Sequence, residues 1–312
     1  MKNILRDRSF RLSIILTLIF LCTGIAFLFL GLADYSWILF LLLPFLLGIA
    51  IGVLPNRKWV MYGGILTAVV FLVFLLLAGL SGFICVVMSF PIIASLIFLG
   101  AIVTHLVERY KQIKSKDTLP VLLFPLLVFM IAAPAERFLK EEKKQLIEVR
   151  TEQVFNYSPE EVYDAIKSVD TLIADKPFLM NFDLPVPVKC VLSKEEVGGI
   201  RTCYFSGGNL SRGDFGGGTI TEKITALERG KLLKMDVVDY NLIGRKWLGF
   251  KEAIYYFDKI GNGQCKLTRV TTYTSELTPR FYWEPLEKIG IRQEHDYVFA
   301  NLTNDLKKKT GR

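Results

Sequence analysis

The stretch RFYWEPLEKIGIRQEHDYVFANLTNDLKKK, residues 280–309, decides the fold of the C-terminal half of the chain. Apolar residues and one histidine recur in it every three or four positions, at Ile291, His295, Val298, Phe299, Leu302 and Leu306. Because an α-helix has about 3.6 residues per turn, this spacing places them on one stripe of a long amphipathic helix. The polar residues Glu294 and Asn301 are expected on its other faces. A helix this long needs a broad apolar partner.

The residues before this helix supply that partner, because they alternate between apolar and polar side chains as β-strands do. A strand is predicted at 149–157, followed by a short helix in which Ser158 and Glu161 have the spacing of a capping box. Further strands, separated by glycine-rich or polar turns, are predicted at 188–194, 201–205, 218–227, 232–240, 250–259 and 266–276. The pattern predicts an α+β fold whose antiparallel sheet curls around the final helix.

The N-terminal part of the chain has a different character, with long runs of apolar residues. The runs lie at 10–33, 37–54, 60–80, 83–107 and 119–135. About 20 apolar residues suffice for a helix to cross a bilayer. We therefore predict a multi-pass helical membrane region over 1–135, a charged linker over 136–148 and the α+β domain over 149–312. The first run is too long for the core of a cleavable signal peptide.

The net charge of +8 belongs mainly to the membrane half. Residues 1–135 hold 10 Lys and Arg against 4 Asp and Glu, whereas residues 136–312 hold 28 against 26. Cationic loops set the orientation of membrane helices. A nucleic-acid-binding protein would instead concentrate its positive charge on a folded face. The charge distribution therefore argues against nucleic acid as a partner and for a lipid bilayer.

The positive charge alternates between the loops. The N-terminus and the loops at 57–58 and 109–116 are cationic, whereas the loop around Asp34 carries no Lys or Arg. By the positive-inside rule the N-terminus is cytoplasmic. The fifth run, 119–135, decides the side of the C-terminal domain: its hydrophobicity favours crossing, but the cationic residues at 137–144 favour the cytoplasm. We favour a crossing, which places the domain outside.

The order of elements in the C-terminal half resembles the START-like, helix-grip superfamily, also called SRPBCC proteins, whose members include polyketide cyclases/dehydrases and lipid-transport proteins. The local matches are VFNYSPEEVYDAI at 154–166, GGTITEKITALERGKLLKMDV at 217–237 and YTSELTPRFYWEPLEKIGIRQEHDYVFANL at 273–302. The resemblance covers 149–309 and implies a hydrophobic cavity between sheet and helix. Because such members include both enzymes and carriers, the fold alone does not choose between these functions.

Strand alternation indicates which polar side chains face that cavity. In the strand 218–227, Glu222 shares a face with Ile220 and Ile224, so it is expected to point inward, and Lys223 outward. The same count places Arg201 with Cys203, and Arg269 with Thr271. The residues predicted to line the cavity are Arg201, Glu222, Arg269, Tyr273, His295 and Phe299.

These inward groups have three possible roles. Buried charges usually pair, so an Arg–Glu–His network that joins the helix to the sheet is one interpretation. The groups could instead bind the polar end of an apolar ligand, or Glu222 and His295 could perform acid–base catalysis. No nucleophile or metal-binding motif accompanies them, so the sequence predicts neither a cofactor nor a metal site.

At the level of the whole chain, we expect a membrane-anchored domain that binds a lipid or another apolar small molecule. A polyketide cyclase/dehydrase-like enzyme is the alternative from another class, and a ligand sensor that signals through the bundle, to a protein partner that the sequence does not identify, is a third. A transporter is not favoured, because no predicted span carries an ionisable residue near its middle.

Two further features have simpler interpretations. The three cysteines of the C-terminal half, Cys190, Cys203 and Cys265, form no CxxC pair and are odd in number, so we expect small buried thiols on strands. The glycine-rich segment 207–218 lies between strands and opens no helix, which favours a hairpin loop over a phosphate-binding loop.

Overall fold

The computed structural model describes residues 7–78, 81–111, 118–139, 145–210, 215–245, 247–261 and 263–310. Much of the cationic segment 109–116 and the linker positions 140–144 lie outside the described residues. The chain forms two compact units. The first comprises Met1–Ser81, Cys85–Lys143 and Glu276–Phe281, and the second comprises Gly82–Ile84, Lys144–Ser275 and Tyr282–Arg312.

The first unit is helical. Its helices are α1 (Arg8–Phe29), a π-helical turn (Ile38–Leu42) that continues into α2 (Leu43–Gly52), α3 (Arg57–Leu77), α4 (Phe83–Lys111) and α5 (Thr118–Leu139). Among the residues that the structure describes, three helical stretches are long and apolar enough to cross a membrane, namely Arg8–Phe29, Arg57–Leu77 and Phe83–Tyr110, and the apolar stretch Ile38–Gly52 is shorter. This composition is consistent with membrane association.

Helices α2 and α4 approach each other with their backbones in contact. A Cβ atom added to Gly48 would collide with the carbonyl oxygen of Ile97, and one added to Gly100 would collide with that of Phe45. Glycine is therefore required at both positions for this packing. Close approach through small residues is typical of helix pairs in membranes, where no hydrophobic effect drives helices together.

The two ends of the helical unit carry different polar contacts. Where α1 begins, the Asn56 amide donates to Asp7 (2.7 Å). At the same end the Arg57 guanidinium lies 3.0 Å from the His105 ring and 3.3 Å from Glu108. The start of α1, the loop before α3 and the last turns of α4 therefore share one end of the unit.

The last turn of α5 lies at the opposite end, beyond the C-terminus of α1. The Glu136 carboxylate accepts hydrogen bonds from the Ser36 hydroxyl and, at 3.4 Å, from the Ile38 backbone N–H. Arg137 lies 3.8 Å from Asp34. Helix α5 therefore ends beside the loop that joins α1 to α2.

The second unit contains a seven-stranded antiparallel sheet with the order β1-β7-β6-β5-β4-β3-β2. The strands are β1 (Ile147–Phe155), β2 (Val186–Leu192), β3 (Ile200–Ser206), β4 (Gly218–Glu228), β5 (Leu232–Leu242), β6 (Leu248–Ile260) and β7 (Gln264–Ser275). Helix α6 (Pro159–Ile166) and a 3-10 turn (Phe178–Asn181) lie between β1 and β2, and α7 (Arg280–Thr310) follows the sheet.

The sheet curls into a half-barrel around α7, as the sequence predicts for the helix-grip fold. Register shifts between adjacent strands interrupt β2, β4 and β6, and such bulges increase the local twist and bend. The inner face and α7 enclose one large apolar core, which includes Ile224, Met235, Leu267, Phe299 and Leu302. The predicted fold class is therefore confirmed.

The buried stripe of α7 is also confirmed, and two polar residues off that stripe are covered as well. Ile291, His295, Phe299, Leu302 and Leu306 are buried, and Val298 is half-buried. Asn301, on another face of the helix, is 3% exposed, and its side-chain oxygen accepts from the backbone N–H groups of Ile173 (2.6 Å) and Ala174 (2.8 Å). Glu294 also turns inward. The chain after α6 packs along this face of the helix, which a helical wheel alone does not reveal.

The cysteines differ from the prediction as well. Cys190 and Cys203 lie opposite each other on β2 and β3 and form a disulfide. An odd number of cysteines excludes complete pairing but not one bond, so the expectation of three thiols was wrong for this pair. Cys265 is the buried thiol that was expected, and its burial raises its pKa to about 12.

Candidate functional site

An ion pair joins two adjacent strands on the inner face of the sheet. Arg201 on β3 lies directly opposite Glu222 on β4, and its Nε donates to the Glu222 carboxylate at 2.6 Å. The two residues are 3% and 6% exposed, whereas Lys223 is exposed. The strand alternation therefore predicted the direction of these side chains correctly. Cross-strand neighbours on one face are close enough to pair in this way.

The ring of Tyr255 on β6 separates this arginine from a second one. Arg201 Nη2 donates to the Tyr255 hydroxyl at 3.4 Å, and its guanidinium lies 5.4 Å from the ring centroid. The guanidinium of Arg269 lies 5.5 Å from the same centroid. An aromatic ring between two cations attracts both, because its faces carry negative partial charge. Tyr255 was not among the predicted cavity residues.

The second arginine pairs with the terminal helix. The Nη atoms of Arg269 lie 2.9–3.2 Å from both carboxylate oxygens of Glu294 on α7. The Arg269 side chain is 11% exposed and that of Glu294 20%, against 4% and 8% for Arg201 and Glu222. Burial raises the pKa of Glu294, and the Arg269 guanidinium opposes that increase. Sequence reasoning missed Glu294, because its helical position places it beside the buried stripe rather than on it.

His295 Nε2 lies 4.0 Å from the Glu294 carboxylate, but the ring's closer contacts are with two threonine hydroxyls. Its Nε2 lies 2.8 Å from the Thr271 hydroxyl and its Nδ1 lies 2.9 Å from the Thr151 hydroxyl. The side chain is completely buried, and this burial, together with the nearby Arg269, lowers its pKa well below 6.5. The imidazole is therefore neutral at pH 7. One ring nitrogen then donates and the other accepts, which two hydroxyls can match.

The other two predicted cavity residues lie in different surroundings. The Tyr273 hydroxyl donates to the buried carboxylate of Glu287 at 3.1 Å. Phe299 is 1% exposed and meets Phe155 edge-to-face, with ring centroids 6.1 Å apart. Tyr273 thus belongs to a second polar contact nearer the start of α7, and Phe299 is a residue of the apolar core.

The charged side chains on the inner face form a paired, charge-balanced group. We call Arg201, Glu222, Arg269 and Glu294 the inner charge cluster. Its two positive and two negative side chains pair with each other, as charges in an apolar interior must. Glu222 is held by Arg201, and both ring nitrogens of His295 are engaged. The accessible surface of the cluster lies mainly on the Arg269–Glu294 pair.

Comparisons with known proteins extend only to structure. No protein-family model and no curated protein matches the chain. The aromatase/cyclase Zhui from a Streptomyces species is 12% identical, with a TM-score of 0.37 over 53% of this chain and 96% of its own. Truncated norcoclaurine synthase from Thalictrum flavum is 14% identical, with a TM-score of 0.32 over 51% of this chain and 95% of its own.

A protein of unknown function from Staphylococcus aureus is 14% identical, with a TM-score of 0.37 over 55% of this chain and 100% of its own. These similar structures correspond to the C-terminal half, where the sheet and α7 lie. At such identities and scores they carry no argument about function.

We predict that Glu222→Ala destabilises the second unit by about 3–5 kcal/mol, because it leaves the buried Arg201 guanidinium without its partner. Glu222→Gln keeps the shape and one hydrogen-bond acceptor, so it should cost less. The matched control is the outward neighbour, Lys223→Ala, which should change stability by about 0.5 kcal/mol or less. Denaturant unfolding of a fragment 145–312 measures all three. Equal, small effects at both positions would contradict the pairing.

We also predict that the stability of this fragment falls below about pH 6.5 because of His295. The unfolded chain binds a proton on this residue below that pH, whereas the folded chain does not, so stability is lost as the pH decreases. Between pH 7.5 and 5.5 the loss should be about 1.4 kcal/mol. The raised pKa of Glu294 acts in the opposite direction, lowering stability as the pH rises above about 4.5.

The variant His295→Gln isolates the contribution of the histidine. It retains a donor and an acceptor for the two threonines but does not titrate, so the pH-dependent difference from the parent fragment reports His295 alone. The second histidine of the chain, His105, lies outside the fragment. The same slope in both proteins would show that folding does not lower the pKa of His295.

Proposed function

We propose that the second unit binds an apolar small molecule, with membrane lipid as the class, between its curled sheet and α7. The observation that carries this proposal is the inner charge cluster, which lies within an apolar core and keeps part of one pair accessible. The guanidinium of such an arginine–glutamate pair can donate hydrogen bonds to the polar end of a ligand, and the carboxylate can accept hydrogen bonds from it. The apolar side chains around it match the remainder of a lipid.

The same geometry disfavours the alternative of an enzyme that uses Glu222 or His295. A general acid or base must reach the proton that it transfers. His295 has no exposed surface and a lowered pKa, and Glu222 is 6% exposed and paired with Arg201. A binding function requires neither residue to be reactive. We therefore propose a carrier or ligand-binding domain rather than an enzyme.

The direct test is to identify what the full chain retains after purification in mild detergent. Organic extraction followed by mass spectrometry should recover an apolar molecule in about equimolar amount. In the double variant Arg269→Gln/Glu294→Gln, both charges of the accessible pair are removed together, so no unpaired charge remains. The bound molecule should then decrease about tenfold or more, as expected for the loss of one or two hydrogen bonds to charged groups.

The matched control for that experiment is Lys234→Gln/Glu252→Gln. These two side chains form an ion pair of 2.6 Å on the outer face of the sheet. The control should retain the bound molecule at the parental level. Recovery of no molecule from the parent protein, together with no increase of its melting temperature on adding lipid, would refute the proposed function.

We further propose that five helices cross the membrane and that the second unit lies outside the cytoplasm. Helix α5 follows the end of α4, beside Arg57, and finishes beside Asp34, at the opposite end of the helical unit. This direction supports a fifth crossing. The N-terminal end carries the cationic loops, which favours the cytoplasm for that end.

The disulfide between Cys190 and Cys203 supports the same side. Such bonds persist in oxidising compartments and are rare in the cytosol, where thiols are kept reduced. The bond joins adjacent strands of the second unit. The direction of α5 and the disulfide between β2 and β3 therefore both support a location outside the cytoplasm.

This topology predicts opposite results for two reporter fusions. A reporter that works only in the cytoplasm should be active when fused after Lys116 and inactive when fused after Arg312. A reporter that works only outside the cytoplasm should give the reverse result. Reporter proteins that fluoresce, or that hydrolyse a substrate, on only one side of the membrane measure the location of each fusion point directly. If both fusions report the same side, 119–135 does not cross the bilayer and the second unit is cytoplasmic.

A further inference from the structure

Three loops of the second unit expose large apolar side chains. Phe178 is 69% exposed in the 3-10 turn before β2, Leu210 is 54% exposed between β3 and β4, and Ile243 is 47% exposed between β5 and β6. We call these residues the apolar tip. Single exposed apolar residues are ordinary on a protein surface, but three on neighbouring loops form a patch of the kind that contacts a partner.

Hydrogen bonds hold the three loops together. The Leu210 N–H donates to the Phe182 carbonyl at 2.7 Å, which joins the first loop to the second. The Gly216 N–H donates to the Ile243 carbonyl at 2.9 Å, and the Ile243 N–H donates to the Gly217 carbonyl at 3.0 Å, which joins the second to the third. The three loops that carry the apolar tip are therefore joined to one another.

A buried ion pair also links the first of these loops to the third. Arg245 Nη2 lies 2.9 Å from the carbonyl oxygen of Asp183 and 3.4 Å from its carboxylate, and the two residues are 3% and 1% exposed. The Arg245 guanidinium also lies 5.0 Å from the ring centroid of Phe215. The first and third loops are thus fixed to each other through side chains as well as through their common neighbour.

The segment Gly82–Ile84 belongs to this same compact unit. The Ile84 N–H donates to the Asp183 carboxylate at 2.9 Å. The ring of Phe83 stacks on Phe182 (5.2 Å, 17°), and Phe182 meets Phe178 edge-on (5.0 Å, 75°). A continuous row of aromatic rings therefore runs from Phe83 to the apolar tip.

Phe83 is also the first residue of α4, and the chain from it to Thr104 carries no Asp, Glu, Lys, Arg or His. At a rise of 1.5 Å per residue, these 22 residues span about 33 Å, close to the thickness of the hydrocarbon core of a bilayer. His105 and Glu108 follow at the other end. Given the membrane crossing by α4 that is part of the proposed function, on which this inference rests, the match puts Phe83 at the boundary between hydrocarbon and headgroups.

We propose that the apolar tip inserts into the bilayer beside the start of α4. Phe178 adjoins, through Phe182, a residue that the length of α4 places at the hydrocarbon boundary. An apolar surface at that depth meets lipid, and its exposed side chains are then covered without a protein partner. Phe and Leu side chains suit this position, since interfacial segments bury such residues at the boundary between headgroups and acyl chains.

The test uses the full chain in nanodiscs of phosphatidylcholine and phosphatidylglycerol. The photoreactive variants Phe178→benzoylphenylalanine and Leu210→benzoylphenylalanine are irradiated, and their adducts are identified by mass spectrometry. Both side chains are more than half exposed, so the substitutions should leave the melting temperature unchanged. We expect phospholipid adducts at both positions, with at least a fivefold higher yield than at the control position.

The control position is Val197, which is 65% exposed in the turn between β2 and β3 and lies outside the apolar tip. Val197→benzoylphenylalanine should give little or no lipid adduct. Equal yields at all three positions would indicate unspecific reaction with lipid and would overturn the proposal. Adducts at 178 and 210 to protein alone, or no adduct there, would likewise overturn it, because the tip would then face another chain or water.

Discussion

Moving a guanidinium out of water costs several kcal/mol unless a carboxylate pairs with it, and the second unit buries two of them on the inner face of its sheet. Arg201 and Arg269 lie on the inner face of the same sheet, on either side of Tyr255. Each requires its own carboxylate, and the two carboxylates come from different elements. Glu222 is supplied by the neighbouring strand, and Glu294 by α7. The pairing of Arg269 with Glu294 joins α7 to the sheet and fixes the rotation of the helix about its own axis.

The contacts of His295 follow from this rotation of α7. Once Glu294 faces Arg269, His295 faces β7 and β1, where its two ring nitrogens form hydrogen bonds with the hydroxyls of Thr271 and Thr151. Burial and the nearby Arg269 both disfavour a proton on this imidazole, so the neutral ring adds no charge there. The inner charge cluster and His295 therefore place many polar atoms in the interior in a charge-balanced arrangement.

The edge of the sheet is protected by covalent and hydrogen bonds. Strand β2 lies at one edge, where unpaired backbone groups would invite association with other chains. Along its free edge, β2 forms backbone hydrogen bonds with Val169 and Leu172 of the chain after α6. The disulfide joins β2 to its neighbour β3. The segment that covers this edge also donates two N–H groups to Asn301, so the edge, the loop and α7 support one another.

Local patterns of the sequence determined much of this protein. The period of α7, the alternation of β4 and the capping box of Ser158 and Glu161 depend on residues a few positions apart, so they can be derived without a structure. The five apolar runs are local features too, and helices occupy all of them. The inward direction of Arg201, Glu222 and Arg269 followed from the same alternation.

Only the tertiary structure decided which partner each inward group has. Glu294 and Asn301 are polar, and a helical wheel places them off the apolar stripe, yet Arg269 and the chain after α6 approach them from distant parts of the sequence. The pairing of Cys190 with Cys203 depends on the register of two strands, which their spacing in the sequence does not specify. Burial of a polar group depends on what packs over it, and that is a property of the assembled fold rather than of any single segment.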